Sequence, residues 1–579
     1  MDHSFSKFRF RSFCLALALA GIGDSGMAAD RSPQHPATRV SQETGEVVTT
    51  RVGTLRGIRQ GGMLHFLGIP YAQPPISDLR WMPPEPAKPW TGMLDATHFR
   101  ASCAQSEKVG GFAAPSEAED CLFLNVFVKA QDRAASAHRH TRGKSPVMVW
   151  LPGGGFFAGA SNDYDPSALV LQGDVVFVSI NYRLGLLGFF SHPAIDAEGH
   201  AHSNYGLMDQ QLALKWVRDN ISDFGGDPGN VTIFGESAGG LSVLSNIASP
   251  LSKGLFNKAI VESAAPVDLP PSTAMQRLGT AFAEEAGCKN QTAECLRSLS
   301  VSTILRTNAP AESGNPGSSG VPGGSPFGRF GAFLQLPMID GTVLTEPMST
   351  AFAHGRFNKV PILYGSNHDE STWFIALAEL SIGTPLTTQT YPDIIARNFG
   401  SSASDVMERY PLASFPTPSN AIAAALTDRD FICATRRTIQ ALKPYVESIY
   451  YYRFDDRDAP VSSPNVSFPY LAHHTAELQY IFSGFHGAGG RIHQLRPAQA
   501  QLARHMVRYW TNFATSGDPN RGTDDASATV WPRYDLTGDQ FLSLKVPQSS
   551  AVTGLGDFHQ CGFWDGVSAS QAGILGKHH

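Results

Sequence analysis

The sequence predicts an α/β chain built on a large, mostly parallel central sheet with helices on both faces and a small N-terminal hairpin. Three observations carry this. Continuous apolar runs of strand length recur at 147–151, 175–181, 231–234, 258–262 and 360–364, and runs with no polar face suit strands covered on both sides. Helical stretches lie between them, the clearest being 207–220 with Leu212, Leu214, Trp216 and Val217. Third, VTIFGESAGG at 231–240 is a β-branched run, then a serine flanked by glycines, then small residues and helix formers: strand, very sharp turn, helix.

The elements follow in chain order. Residues 30–45 are polar and expected to fray. Stretches 47–57 and 63–72 alternate and are glycine-bounded, like an opening hairpin. Proline-rich 73–90 reads as irregular, 119–128 as a strand and basic, polar 131–145 as a surface loop. Residues 312–331 are dense in Gly, Ser and Pro and read as a flexible loop or lid edge. No internal repeat and no second domain is visible, so residues 30–579 read as one elaborated unit.

The chain has 579 residues, 42% of them hydrophobic, ample for a large core. Its net charge is −6 with no long run of one sign, unlike the basic face of a nucleic-acid binder. Lys7, Arg9 and Arg11 precede a short apolar run ending at Ile22, with small residues after it; residues 1–29 therefore read as an export signal cleaved after Ala28 or Ala29. No other stretch is long and apolar enough for a membrane helix. Of seven cysteines, Cys14 lies in this signal, leaving Cys103, Cys121, Cys288, Cys295, Cys433 and Cys561. An even count in an exported chain argues for disulfides, in any of fifteen pairings. No Cys/His cluster suggests zinc.

The chemistry is read from three places. The turn at Gly235-Glu236-Ser237-Ala238-Gly239 forces Ser237 into a strained backbone and needs small flanks; it also sets the hydroxyl at a helix N-terminus, where free N–H groups favour developing negative charge. The strand at 147–151 runs into Pro152-Gly153-Gly154-Gly155, where a close backbone can aim N–H donors at a tetrahedral oxyanion; those of Gly154, Gly155 and Ala238 are the candidates. A dinucleotide loop is disfavoured, since Gly159–Asp163 does not read as a helix and the next strand ends at Asn181 with no acid to hold a ribose. A serine needs a base, and the base an orienting acceptor. The strand at 360–364 ends in a turn carrying Asp369 and Glu370; Asp369 suits a helix N-cap, leaving Glu370 for a histidine. His473 and His474 are adjacent, and spacing does not choose between them.

These segments, with FLGIPYA at 66–72, EDCLFLN at 119–125, NYGLMDQ at 204–210 and FGGDP at 224–228, resemble the type-B carboxylesterase/lipase family, which includes cholinesterases and bacterial para-nitrobenzyl esterases. The resemblance implies an α/β-hydrolase fold and hydrolysis of small-molecule carboxylic esters through an acyl-enzyme, with no metal or organic cofactor. By position it implies Ser237 as nucleophile, Glu370 as acid, His474 as base and Gly154, Gly155 and Ala238 as oxyanion donors. It also implies disulfides Cys103–Cys121, Cys288–Cys295 and Cys433–Cys561, and a structural Arg80–Glu119 pair. This chain departs from the family at Pro152, at Ser371 and Thr475, which stand where the family has glycines, and in a Cys103–Cys121 loop without Trp. That last departure predicts no preference for choline esters. Acyl transfer or amide cleavage would use the same residues; a non-catalytic binding module would not need all six intact. Phe156, Phe157, Phe330, Phe333, Trp373 and Phe374 are candidate walls of a substrate pocket, and Asn220, Asn230, Asn290 and Asn465 sit in Asn-x-Ser/Thr triplets.

Overall fold

A computed structural model describes residues 45–106, 113–130, 143–264, 269–307, 336–487, 490–522 and 527–567. The expected export signal at 1–29, most of the loop at 131–145, the Gly/Ser/Pro-rich stretch at 312–331 and both Phe330 and Phe333 lie outside these residues.

Among the described residues, fourteen strands form two sheets. The smaller joins β1 (Val47–Thr49), β2 (Thr54–Arg56) and β5 (Met93–Asp95). The larger contains β3 (Ile58–Gln60), β4 (Met63–Pro70), β6 (Phe123–Lys129), β7 (Ser145–Leu151), β8 (Val176–Ile180) and β9 (Gly226–Glu236). It continues through β10 (Lys258–Glu262), β11 (Ile362–Asn367), β12 (Ile449–Phe454), β13 (Phe541–Leu544) and β14 (Ser550–Val552). Its order is β14-β13-β12-β11-β10-β9-β7-β8-β6-β4-β3. The pairs from β8 to β13 are parallel; β3, β4, β6 and β14 add antiparallel edges.

The apolar runs are continuous because each strand feeds two cores. On β7, Val147, Val149 and Leu151 face one, Met148 and Trp150 the other. The first core is closed by helices Tyr205–Asn220, through Leu207, Leu214 and Val217, and Ala238–Ala248, through Leu241, Val243 and Leu244. Helix Pro497–Ser516 covers the second with Met506, Trp510 and Phe513. Proline at its start costs no intrahelical bond, and Gly517 ends it at φ 77°. Side chains alternating between two covered faces are what a buried parallel sheet requires.

The opening differs from a single hairpin. Val47–Thr49 folds back on Thr54–Arg56 within the first run, while Met63–Pro70 of the second pairs with Ile58–Gln60 from the stretch between them, so the two runs do not pair with each other. The cysteines pair as Cys103–Cys121, Cys288–Cys295 and Cys433–Cys561. Arg80 grips Glu119 with Nε and Nη2 at 2.6 and 2.5 Å. Among the described residues no helix is long and apolar enough to cross a membrane. Of the Asn-x-Ser/Thr asparagines, Asn220 is buried and donates to the Trp216 carbonyl.

Candidate active site

Strand β9 ends at Glu236 and the helix begins at Ala238, so the whole reversal falls on Ser237, at φ 58° and ψ −123°. That region costs an L-residue about 1–3 kcal/mol. The surroundings hold it: the Ser237 N–H donates to the Glu262 carbonyl at 3.0 Å, and the Ser237 carbonyl accepts from Leu241 at 2.9 Å. The flanking glycines are required by space. A Cβ on Gly235 would lie 2.6 Å from the Leu151 carbonyl oxygen, and one on Gly239 2.0 Å from the same atom.

That contact also joins the serine turn to the glycine loop after β7. A Cβ on Gly153 would stand 3.4 Å from Ser237 Cβ and 2.6 Å from the Glu236 carbonyl oxygen. Gly154 and Gly155 have φ 105° and 63°, which only glycine adopts freely. The loop is fastened at both ends. Tyr182 donates its hydroxyl to the Pro152 carbonyl at 2.8 Å, and Gln105, beside Cys103, exchanges two hydrogen bonds with the Gly159 backbone. Ala238 opens its helix, so its N–H has no partner one turn back.

Strands β11 and β12 end on the same sheet edge, and the segments after them carry Glu370 and His474. His474 Nδ1 is 2.6 Å from Glu370 Oε2, and Glu370 Oε1 accepts from the Asn367 N–H at 2.7 Å. His474 Nε2 lies 3.2 Å from Oε1 of Glu236, the residue directly before Ser237. The structure thus brings the Glu236 end of the serine turn, Glu370 and His474 together, and it is His474, not His473, that lies on Glu370. His473 is buried with Nδ1 on the Leu471 carbonyl, and burial pushes its imidazole down to about 4. The expected N-cap role of Asp369 is corrected. Its carboxylate pairs with both forks of Arg457, at 2.9 and 2.8 Å, and the helix Ser371–Ile382 starts with no side-chain cap. An available guanidinium holds that carboxylate away from the helix N–H groups.

Sequence reasoning missed the company His474 keeps. Glu236, Glu262 and Glu477 are all buried close by. Burial first, then the neighbouring carboxylates Glu477, Glu370 and Glu262, holds Glu236 well above the usual range. Burial and the Glu370 charge push Glu477 up to about 7. So many carboxylates in so little space cannot all be ionised. Polar partners steady them: Trp510 Nε1 donates to Glu262 at 2.8 Å and Ser263 Oγ to Glu477 at 3.0 Å. Glu236 lies inside the serine-turn motif and Glu477 three residues past His474, and their type was the available signal. Trp373, Phe374 and Phe431 set their rings 5.8, 4.9 and 5.6 Å from the His474 ring. Phe431 comes from a π-turn at Asp428–Ile432 and had no sequence signal. Phe156 is plain packing, buried against Phe189.

The profile of the Carboxylesterase family matches residues 44–564. The chain is 31% identical to cocaine esterase of Homo sapiens, with 96% of each chain covered. It is 34% identical to fumonisin B1 esterase of Sphingopyxis macrogoltabida over 85% of each. A solved PNB esterase structure superposes with a TM-score of 0.72 at 30% identity, covering 89% of this chain and 99% of that one. The fold is therefore the α/β-hydrolase fold. With a sharp serine turn, a glycine loop against it and a histidine on a buried glutamate, the chain belongs to the carboxylesterase family and is an ester hydrolase.

Proposed function

We propose that residues 30–579 form a single catalytic domain, secreted to the periplasm or the extracellular space, that hydrolyses small-molecule carboxylic esters through an acyl-enzyme on Ser237. His474 takes the Ser237 proton as the oxygen attacks the ester carbonyl. Glu370 stays ionised, fixes the tautomer at Nδ1 and steadies the imidazolium. The N–H groups of Gly154, Gly155 and Ala238 receive the oxyanion. His474 then gives its proton to the leaving alcohol. Water, activated by the same imidazole, attacks the acyl-enzyme and releases the acid. Water supplies the proton that His474 returns to Ser237 as the acid leaves, which restores the starting state.

The observation that carries the reading is the buried 2.6 Å contact between His474 Nδ1 and Glu370, with Nε2 turned to the residue before Ser237. Export is supported by the three disulfides and by the signal-like N-terminus. The test is Ser237→Ala on a neutral aryl ester. It should lower kcat by about 10⁴-fold or more with an unchanged circular dichroism spectrum. A variant retaining near-wild-type turnover would end the proposal.

A further inference from the structure

His474 sits in a loop whose backbone its own sequence disfavours. Thr475, the next residue, has φ 73°, a left-handed conformation that crowds a branched Cβ. Such a conformation persists only where the surroundings over-determine it, so something must hold it. The entry to the loop is held by the Asp369 N–H on the Ala472 carbonyl at 2.9 Å. On either side of His474 and Thr475, Asn367 adds a side-chain hold. Asn367 is the last residue of β11 and fully buried. Its Nδ2 donates to the His473 carbonyl at 2.7 Å and to Oε2 of Glu477, whose other oxygen is held by Ser263. Its backbone N–H donates to Glu370. One side chain therefore grips the loop on both sides of His474 and Thr475, while the same residue's backbone holds the acid.

We propose that Asn367 is a positioning residue: its side-chain amide clamps the 473–477 loop in the strained conformation that keeps His474 on Glu370, offsetting the cost of threonine at 475. The proposal rests on reading Ser237, His474 and Glu370 as the triad. A residue that merely filled space would act without regard to what stands at 475. A clamp would not, because glycine adopts φ near +73° unaided.

The test is a double-mutant cycle in the mature protein, with Asn367→Ala, Thr475→Gly and the pair. It reads KM, and kcat per active site titrated with a phosphonate. N367A is expected to lower kcat about tenfold or more with KM within about threefold, since a displaced imidazole weakens the transition state more than substrate binding. T475G alone should stay close to wild type, and the pair should recover most of the loss, a non-additivity that marks coupling. N367A with wild-type kcat overturns the proposal, as does a pair no better than N367A. Should N367A fail to fold, a folded and active pair supports the clamp, and an unfolded or inactive pair overturns it. Silent N367A beside dead S237A rejects the clamp alone; an active S237A rejects the triad itself.

Discussion

Gly239→Ala separates local preference from tertiary space. Residue 239 lies in the first turn of the helix Ala238–Ala248, where alanine is a better helix former than glycine by about 1 kcal/mol. Its φ is not in the left-handed region, so the backbone accepts alanine. Space does not. The new Cβ would lie 2.0 Å from the Leu151 carbonyl oxygen, whereas real Cβ atoms essentially never come within 3.0 Å, so the two must part by at least about 1 Å. Leu151 is the last residue of β7, directly before the glycine loop, so that opening moves Gly153–Gly155 away from Ser237. A misplacement of about 1 Å at a reacting centre costs about 100-fold, or roughly 2.7 kcal/mol of transition-state stabilisation. Overpacking should lower stability by about 1–3 kcal/mol, net of the helix gain. The assay is kcat on a neutral aryl ester with urea unfolding alongside. Gly562→Ala is the control: nothing lies within 4 Å of its Cβ, and both quantities should stay near wild type. G239A with wild-type kcat would refute the idea that the close approach of Gly239 to Leu151 keeps the serine turn and the glycine loop in register.

Other predictions test separate parts of the account. Removing Cys433–Cys561, which closes 128 residues, should destabilise by about 5 kcal/mol, against about 3 for Cys103–Cys121, which closes 18; equal losses in denaturant unfolding would contradict the loop-entropy ordering. Burial lowers the His473 imidazole to about 4, so between about pH 6.5 and 4 the unfolded chain binds a proton that the folded one refuses. Stability should therefore fall by about 3 kcal/mol as pH drops through that window, and His473→Gln should flatten the slope; an unchanged slope would show that other groups dominate. The Cys103–Cys121 loop has no Trp to hold a quaternary ammonium, so a choline ester and its neutral isostere should turn over comparably, and a strong choline preference would count against this.

How much was legible depended on whether the signal was local. The central strands showed as unbroken apolar runs because both faces are covered, and the serine turn showed because only small residues fit around it. Strand β12, IYYYRF, was not recognised, since three tyrosines read as half-polar until packing shows Tyr450, Tyr451 and Tyr452 all buried. Strands of three or four residues such as β13 and β14 gain their stability from neighbours and leave little pattern. At the site, Glu370 and His474 could be placed through their segments. The grip of Asn367 on residues 473 and 477 could not be, because it joins side chains more than a hundred positions apart. Asp369 was misjudged for a similar reason: Arg457 reaches it only in the folded chain.

The most direct measurement is the mass of the protein after brief treatment with a fluorophosphonate, followed by peptide mapping. The account predicts one adduct, on the peptide carrying Ser237, absent in Ser237→Ala and formed far more slowly in His474→Ala and Glu370→Ala. An adduct on another residue, or labelling at full rate without His474, would contradict it.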